Sequence, residues 1–206
     1  VGSYNPSSAT DAYNVGVGYD ALTSTSTGLQ NTAVGGLALR FNTTASTNTA
    51  IGYNAGTATT TGGNNTFLGA TSGDANTTGT QNVAVGSAAL TANTTSSNNT
   101  ACGFLALAAN TTGANNTSVG SLALDAVSTG SNNTAIGYNA LSTFTGDNST
   151  AVGHNALAAL TTGGSNTAVG VLALDACTTG AENTCVGLNA GTSLTTGGST
   201  TAIVAS

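Results

Sequence analysis

A glycine that returns at a fixed interval constrains this chain more than any other feature. The series runs through Gly2, Gly18, Gly35, Gly52, Gly69, Gly86, Gly103, Gly120, Gly137, Gly153, Gly170 and Gly187. Nine of the eleven steps are 17 residues and two are 16, and a further step of 17 reaches Val204 in a degenerate last copy. Residues 1–206 therefore form one tandem-repeat segment of about twelve copies. Because the chain starts and stops inside a copy, we expect it to be part of a longer array.

Each copy carries a short strand signal directly before its glycine. The last residue before the glycine is apolar in every copy, as in Val34, Ile51 and Val85. The residue before that one is usually Ala, with Phe67 and Cys185 as the larger exceptions. Thr precedes the Ala in ten of twelve copies, so Thr-Ala-Val alternates with a period of two. We expect the apolar column to face the interior, where Asp in place of Val85 would bury an unpaired charge.

The rest of the copy has the composition of corners. Two variable residues follow the glycine, then Ala, then Leu in eight of twelve copies; Gly56, Gly73, Gly191 and Pro6 replace that Leu. Thr-Thr-Gly and Asn-Asn are turn-forming sequences. A three-residue strand needs neighbours, and stacked coils pair each strand with the next at a spacing of about 4.7–4.9 Å. The sequence predicts an all-β fold, a parallel β-solenoid (β-roll or β-helix) of about twelve 17-residue coils and roughly 55–60 Å long.

Helical repeats are the alternative architecture, and the sequence disfavours them. Seventeen residues cannot hold the two helices of an α-solenoid repeat, and Thr, Asn and Gly at this density oppose helix. The sequence Leu-Ala-Leu-Ala-Ala at residues 105–109 could form one helical turn, so a short helical or 3₁₀ corner after the glycine stays an open alternative.

The charge balance excludes several classes of partner. One Arg, no Lys and seven acids give a net charge of −6, and Arg40 alone cannot form a basic surface for nucleic acid. No apolar run approaches the roughly 18–20 residues of a membrane-spanning helix. Charge this sparse also argues against disorder driven by self-repulsion.

The repeat resembles the head repeats of trimeric autotransporter adhesins and the related shafts of phage tail fibres. Val83-Ala84-Val85-Gly86 and Thr134-Ala135-Ile136-Gly137 stand where those families carry the Val-Ala-Ile-Gly-like strand core of each coil. The resemblance covers essentially the whole chain. It implies a parallel β-roll that forms homotrimers on the surface of a bacterium or on a virion. The residues themselves leave a single solenoid, a trimer and an end-to-end filament open.

The sequence offers little that could support catalysis, a cofactor or a metal. Asp74, Asp125 and Asp175 share a column but lie three coils apart, roughly 14 Å on the ladder spacing. That separation is too large for a glycosidase pair, and acids are too sparse for a calcium loop. His154 is the only His and stands in a variable position. We therefore expect neither a catalytic site, nor a cofactor, nor a metal.

Three cysteines occupy positions that other copies fill with apolar residues. Cys102 replaces Val and Cys185 replaces Ala in the strand, while Cys177 stands where neighbouring copies carry Phe144 and Leu160. We expect buried, free thiols that act as small apolar groups. A Cys177–Cys185 disulfide stays open, and no Cys-x-x-Cys or His partner indicates a metal.

Two surfaces remain as candidates for binding. Tyr19, Tyr53, Phe104 and Tyr138 follow their glycines directly, so they form an edge for glycan contact or for packing between protomers. Ice binding typically calls for two outward Thr columns on one strand, separated by one inward residue, whereas the two most regular Thr columns here are adjacent and face opposite sides. The Thr of the strand is expected to face inward with the aliphatic column, which disfavours an ice-binding face.

We expect a non-enzymatic extracellular structural fibre or adhesin: an adhesin head or shaft, a phage tail fibre or a secreted filament. An ice- or glycan-binding solenoid is the alternative.

Overall fold

A computed structural model describes residues 12–204; the first partial copy, with Val1, Gly2, Pro6 and Asp11, lies outside the described residues. Each described copy contributes one three-residue strand. The strands are β1 (Val15–Val17), β2 (Thr32–Val34), β3 (Thr49–Ile51), β4 (Thr66–Leu68), β5 (Val83–Val85), β6 (Thr100–Cys102), β7 (Thr117–Val119), β8 (Thr134–Ile136), β9 (Thr150–Val152), β10 (Thr167–Val169), β11 (Thr184–Val186) and β12 (Thr201–Ile203).

The strands form a single parallel sheet in sequence order. Equivalent residues are paired throughout, so Thr32 lies opposite Thr49 and Ala33 opposite Ala50. The 16-residue step before β9 keeps this register, since Thr134 still pairs with Thr150. The missing residue is absorbed in a corner, where Thr145 is followed at once by Gly146. The predicted β-solenoid is confirmed.

Glycine is needed at the end of each strand for two reasons. Gly35 has φ of 137°, a conformation that L side chains rarely adopt. A Cβ on Gly35 would also collide with the carbonyl oxygen of Gly52 in the next coil.

The corner after the glycine is built from turns, and none of residues 12–204 is helical. Two residues of a typical corner have left-handed backbone conformations, Leu37 with φ of 65° and Leu39 with φ of 48°. The short helical corner that the sequence left open is therefore absent from the described coils. In particular, none of them supplies a helix long and apolar enough to cross a membrane.

The inward and outward faces of the strand are the reverse of our expectation. Ala84 is fully buried at the strand centre, while Val83 is exposed and Val85 half-exposed. The same alternation recurs along the sheet, and Ile51 retains 39% of its surface. The prediction of an inward apolar column was wrong, because the coil is too thin to accept a branched side chain from every strand. The leucines and alanines of the opposite corner, such as Leu90 and Ala89, fill the core instead.

Where a larger residue replaces Ala at the strand centre, a glycine replaces Leu in the facing corner. The two exchanges compensate each other in side-chain volume. Phe67 replaces the usual Ala, and the corner leucines of its own and the preceding coil are Gly73 and Gly56. A Cβ on Gly56 would lie 2.6 Å from the Phe67 ring, and one on Gly73 would also collide with the ring. Cys185 and Gly191 repeat this exchange, because a Cβ on Gly191 would lie 2.7 Å from the Cys185 sulfur. Core volume is therefore conserved from coil to coil.

Buried asparagines connect successive coils through their side chains. Asn65 Oδ1 accepts a hydrogen bond from the backbone N–H of Asn82 at 2.9 Å, and Asn65 Nδ2 donates to the Gly79 carbonyl at 2.9 Å. Asn48 and Asn99 make the equivalent pair of bonds. The ladder satisfies buried backbone groups that the short strands leave unpaired.

Corner threonines form a second ladder. Thr43 Oγ1 donates to the Thr60 carbonyl at 3.0 Å, and Thr60 Oγ1 donates to the Thr77 carbonyl at 3.2 Å. Most residues of this Ser or Thr column make the same bond, as Thr111 and Thr161 do, so the column ties successive coils together.

Candidate functional site

The sheet presents one continuous surface to solvent, which we call the outer face. It consists of a threonine row and an aliphatic row, the first and third residues of β1–β12. Ten of the twelve threonine-row residues are Thr, with Val15 and Val83 as the exceptions, and Cys102 is the only non-aliphatic residue in the other row. No residue in either row is charged. The in-register pairing keeps equivalent residues of neighbouring strands side by side in both rows.

The four predicted edge residues lie together on one side of the solenoid. Tyr19, Tyr53, Phe104 and Tyr138 are 75%, 60%, 53% and 50% exposed. They follow the strand-terminating glycine, so they border the outer face beside the aliphatic row. Val171 and Leu188 continue the same column and are also exposed.

Small residues separate the aromatic rings of this edge into two pairs. Gly36 occupies the coil between Tyr19 and Tyr53, and Ser121 occupies the coil between Phe104 and Tyr138. Members of each pair are two coils apart, about 9–10 Å on the ladder spacing. Each pair therefore flanks one coil that carries a small residue, and the Tyr53 ring lies 3.5 Å from where a Cβ on Gly36 would stand.

His154 extends the second aromatic pair in a way the sequence analysis did not anticipate. Its ring stacks on Tyr138 with centroids 5.5 Å apart and 18° between the planes. Below these rings, Asn139 Nδ2 donates to Asn155 Oδ1 at 3.1 Å. The signal was present in the sequence, because both rings and both amides occupy matching positions in consecutive copies.

The acids are dispersed, as their column spacing predicted. Asp74 accepts a hydrogen bond from Thr91 Oγ1 at 2.6 Å. Asp125 and Asp175 each keep one buried carboxylate oxygen without a partner. Burial raises the pKa of Asp125, and its backbone hydrogen bond only partly opposes that shift. Within residues 12–204, no three His, Cys, Asp or Glu side chains are grouped as metal ligands.

Arg40 pairs within the corner region. Its guanidinium lies 3.3 Å from the Asp20 carboxylate and 5.1 Å from the centre of the Phe41 ring.

All three cysteines are free thiols. Cys177 and Cys185 are buried, as expected, and burial raises the pKa of both thiols. Cys102 is exposed on the outer face, so the expectation of burial was wrong for that residue. Its column faces outward, which is the same correction that applies to Val85.

Comparisons with protein-family models, with curated proteins and with solved structures found no match for this chain.

Proposed function

We propose that this chain is a segment of a non-enzymatic extracellular fibre: the head or shaft of a surface adhesin, a phage tail fibre or a secreted filament. The observation that carries the proposal is the identity of the coil-to-coil interface. Strand pairing, the asparagine ladder and the corner threonine ladder repeat from one coil to the next. A unit that offers the same interface above and below extends in one dimension, and its length is set by the number of copies.

Resistance to proteolysis outside a cell is the second support. Arg40 is the only Lys or Arg in the 206 residues, so trypsin-like proteases have one cleavage site. Arg40 is held by Asp20, and its backbone N–H donates to the Leu37 carbonyl at 3.2 Å. A uniform rod with one site for trypsin-like proteases suits a structural role outside a cell.

Immunogold electron microscopy of the source organism tests this proposal. An antibody against the chain is expected to label fibres on cells, on virions or in the medium, and these three locations distinguish the three versions. Label confined to the cytoplasm, together with isolation of a compact monomer that turns over a substrate, would contradict it. Native mass measurement on the labelled material then separates a homotrimer from a single filament.

A glycan-binding edge is a second candidate function, and the paired aromatic rings favour it. His154 covers one face of Tyr138, and Ser121 and Phe104 occupy the same column one and two coils before it. Rings that bracket a gap can hold the apolar face of a sugar between them, with the Asn139 and Asn155 amides nearby as hydrogen-bonding groups.

A glycan array with matched variants tests the edge. Tyr138→Ala is expected to remove binding, whereas Leu188→Ala in the same column is expected to preserve it. Equal binding by both variants, or no binding by the folded wild-type chain, would reject the glycan-binding edge and leave the fibre proposal standing.

A further inference from the structure

The outer face is a regular two-dimensional array. Neighbouring strands place equivalent side chains about 4.7–4.9 Å apart, and the threonine and aliphatic rows are separated by two residues, roughly 6.6 Å. Register is kept from Val15 opposite Thr32 to Thr184 opposite Thr201. The register therefore runs without a break along all twelve described strands, while Val83 interrupts the row of threonine hydroxyls between Thr66 and Thr100.

Within the described part of the chain, the threonine hydroxyls of this array have no hydrogen-bond partner. All ten strand threonines are at least partly exposed, and none of their hydroxyls forms a hydrogen bond within residues 12–204. The corner threonines differ, because hydroxyls such as those of Thr77 and Thr178 donate to carbonyls of the next coil. The outer face thus keeps a row of hydroxyl groups available to solvent at a fixed spacing.

The aliphatic row determines how water can lie on this face. Val119 and Ile136 expose more than a third of their surface beside the threonines, and no charge in either row reorients nearby water. Water bound to the hydroxyls is held at the strand spacing, while water over the methyl groups must bond to other water. Both effects favour one ordered layer, whose two spacings are similar to those between oxygens on a prism face of ice.

A second copy of the chain is a poorer occupant of the same face. Dry packing would bury ten threonine hydroxyls without built-in partners, and such burial is unfavourable. Ice supplies a hydrogen-bonding partner to each hydroxyl and leaves the methyl groups in contact with a fixed water cage. We propose that the outer face orders water into an ice-like layer and binds the surface of ice crystals.

Thermal hysteresis and crystal shape, measured on the folded full chain with ice crystals in dilute buffer, test this inference. The wild-type chain is expected to depress the freezing point below the melting point and to produce faceted crystals. Thr117→Lys places a long cation in the middle of the array and is expected to abolish most of the hysteresis. Thr129→Lys, at an exposed corner position, is the matched control and is expected to retain it.

Circular dichroism of both variants establishes that the fold is unchanged. Three results would overturn the inference: no hysteresis from the folded wild-type chain, equal loss in the two lysine variants, or an outer face covered by a second copy in sedimentation and cross-linking experiments. The fibre proposal is tested by location in the source organism, so the two proposals can fail separately.

Discussion

At the centre of each strand, the space available to a side chain determines which substitutions the coil tolerates. Ala84 is 0% exposed, whereas its neighbour Val85 is half-exposed on the outer face. Replacing Ala84 with Asp is expected to lower the free energy of unfolding by about 3–5 kcal/mol, since it buries a charge without a partner. Val85→Asp is expected to cost only about 1 kcal/mol, the difference in strand preference.

Chemical denaturation of the two variants checks this prediction. A larger loss of stability for Val85→Asp than for Ala84→Asp would restore the inward apolar column that the sequence suggested.

Phe67 allows a direct test of volume compensation. Phe67→Ala is expected to destabilise the chain by about 3–5 kcal/mol, because it leaves a cavity that Gly56 and Gly73 cannot fill. Adding Gly56→Leu and Gly73→Leu is expected to recover most of that loss, since leucine already occupies this left-handed position elsewhere, as Leu39 shows. Thermal denaturation of the single and triple variants measures the recovery.

Gly56→Leu in the presence of Phe67 is the control, and the clash with the ring should make it destabilising. A triple variant no more stable than Phe67→Ala would show that the two positions do not share one cavity.

Asp125 makes stability depend on pH in an unusual direction. Burial raises its pKa in the folded state, so the folded chain holds the proton more tightly than the unfolded chain. Its contribution to stability is therefore complete below the ordinary carboxyl range and decreases as pH rises from that range through the raised pKa. Asp125→Asn is expected to remove this decrease, as measured by denaturation across acidic and neutral pH. An unchanged pH profile in the variant would contradict the assignment.

At the scale of the elements, a second column of buried asparagines is interrupted at identifiable points. Asn93 Nδ2 donates to Asn76 Oδ1 at 2.8 Å, and Asn110 Nδ2 donates to Asn93 Oδ1 at 3.2 Å. Thr59 interrupts the column below Asn76, and both Thr59 Oγ1 and Asn42 Oδ1 are buried without partners. Unsatisfied buried groups of this kind reduce stability.

Thr59→Asn should complete this ladder. The new amide can donate to Asn42 Oδ1 and accept from Asn76 Nδ2, so we expect a gain of about 1 kcal/mol in unfolding free energy. Leu160→Asn is the control, because its neighbours in this column are the apolar Phe144 and Cys177 and the new amide would replace a buried aliphatic group. Denaturation by urea, with the midpoint of each transition compared, measures both variants. A gain from Leu160→Asn, or none from Thr59→Asn, would refute the ladder interpretation.

The sequence predicted the architecture of the elements because the residues that control backbone conformation recur at the same place in every coil. The glycine column, the strand alternation and the turn sequences each indicate one local geometry, and stacking is the only way to pair such short strands. The orientation of the strand was not predictable from side-chain hydrophobicity. Thr-Ala-Val fits either orientation, and the thickness of the coil, which favours Ala inside, emerges only when all corners are packed.

The coupled exceptions could have corrected that orientation. Phe67 coincides with Gly56 and Gly73, and Cys185 coincides with Gly191, which indicates that the strand centre and the corner leucine compete for one volume. Tyr19, Tyr53, Phe104 and Tyr138 are exposed in one column, and their role in glycan contact or in packing between protomers stays a prediction. The free hydroxyls of the outer face could not be foreseen, because that inference depends on knowing which threonines the corners use.

At the scale of the whole molecule, length is expected to rise in proportion to the number of copies. Every described strand pairs with the next in parallel, and each coil adds one ladder step. The most direct test is to image, by electron microscopy, this chain and a genetic tandem of two such chains. We expect unbranched rods of equal width, about 55–60 Å long for one chain and twice that for the tandem. Two globular particles on a string, or a particle that widens as copies are added, would contradict the account.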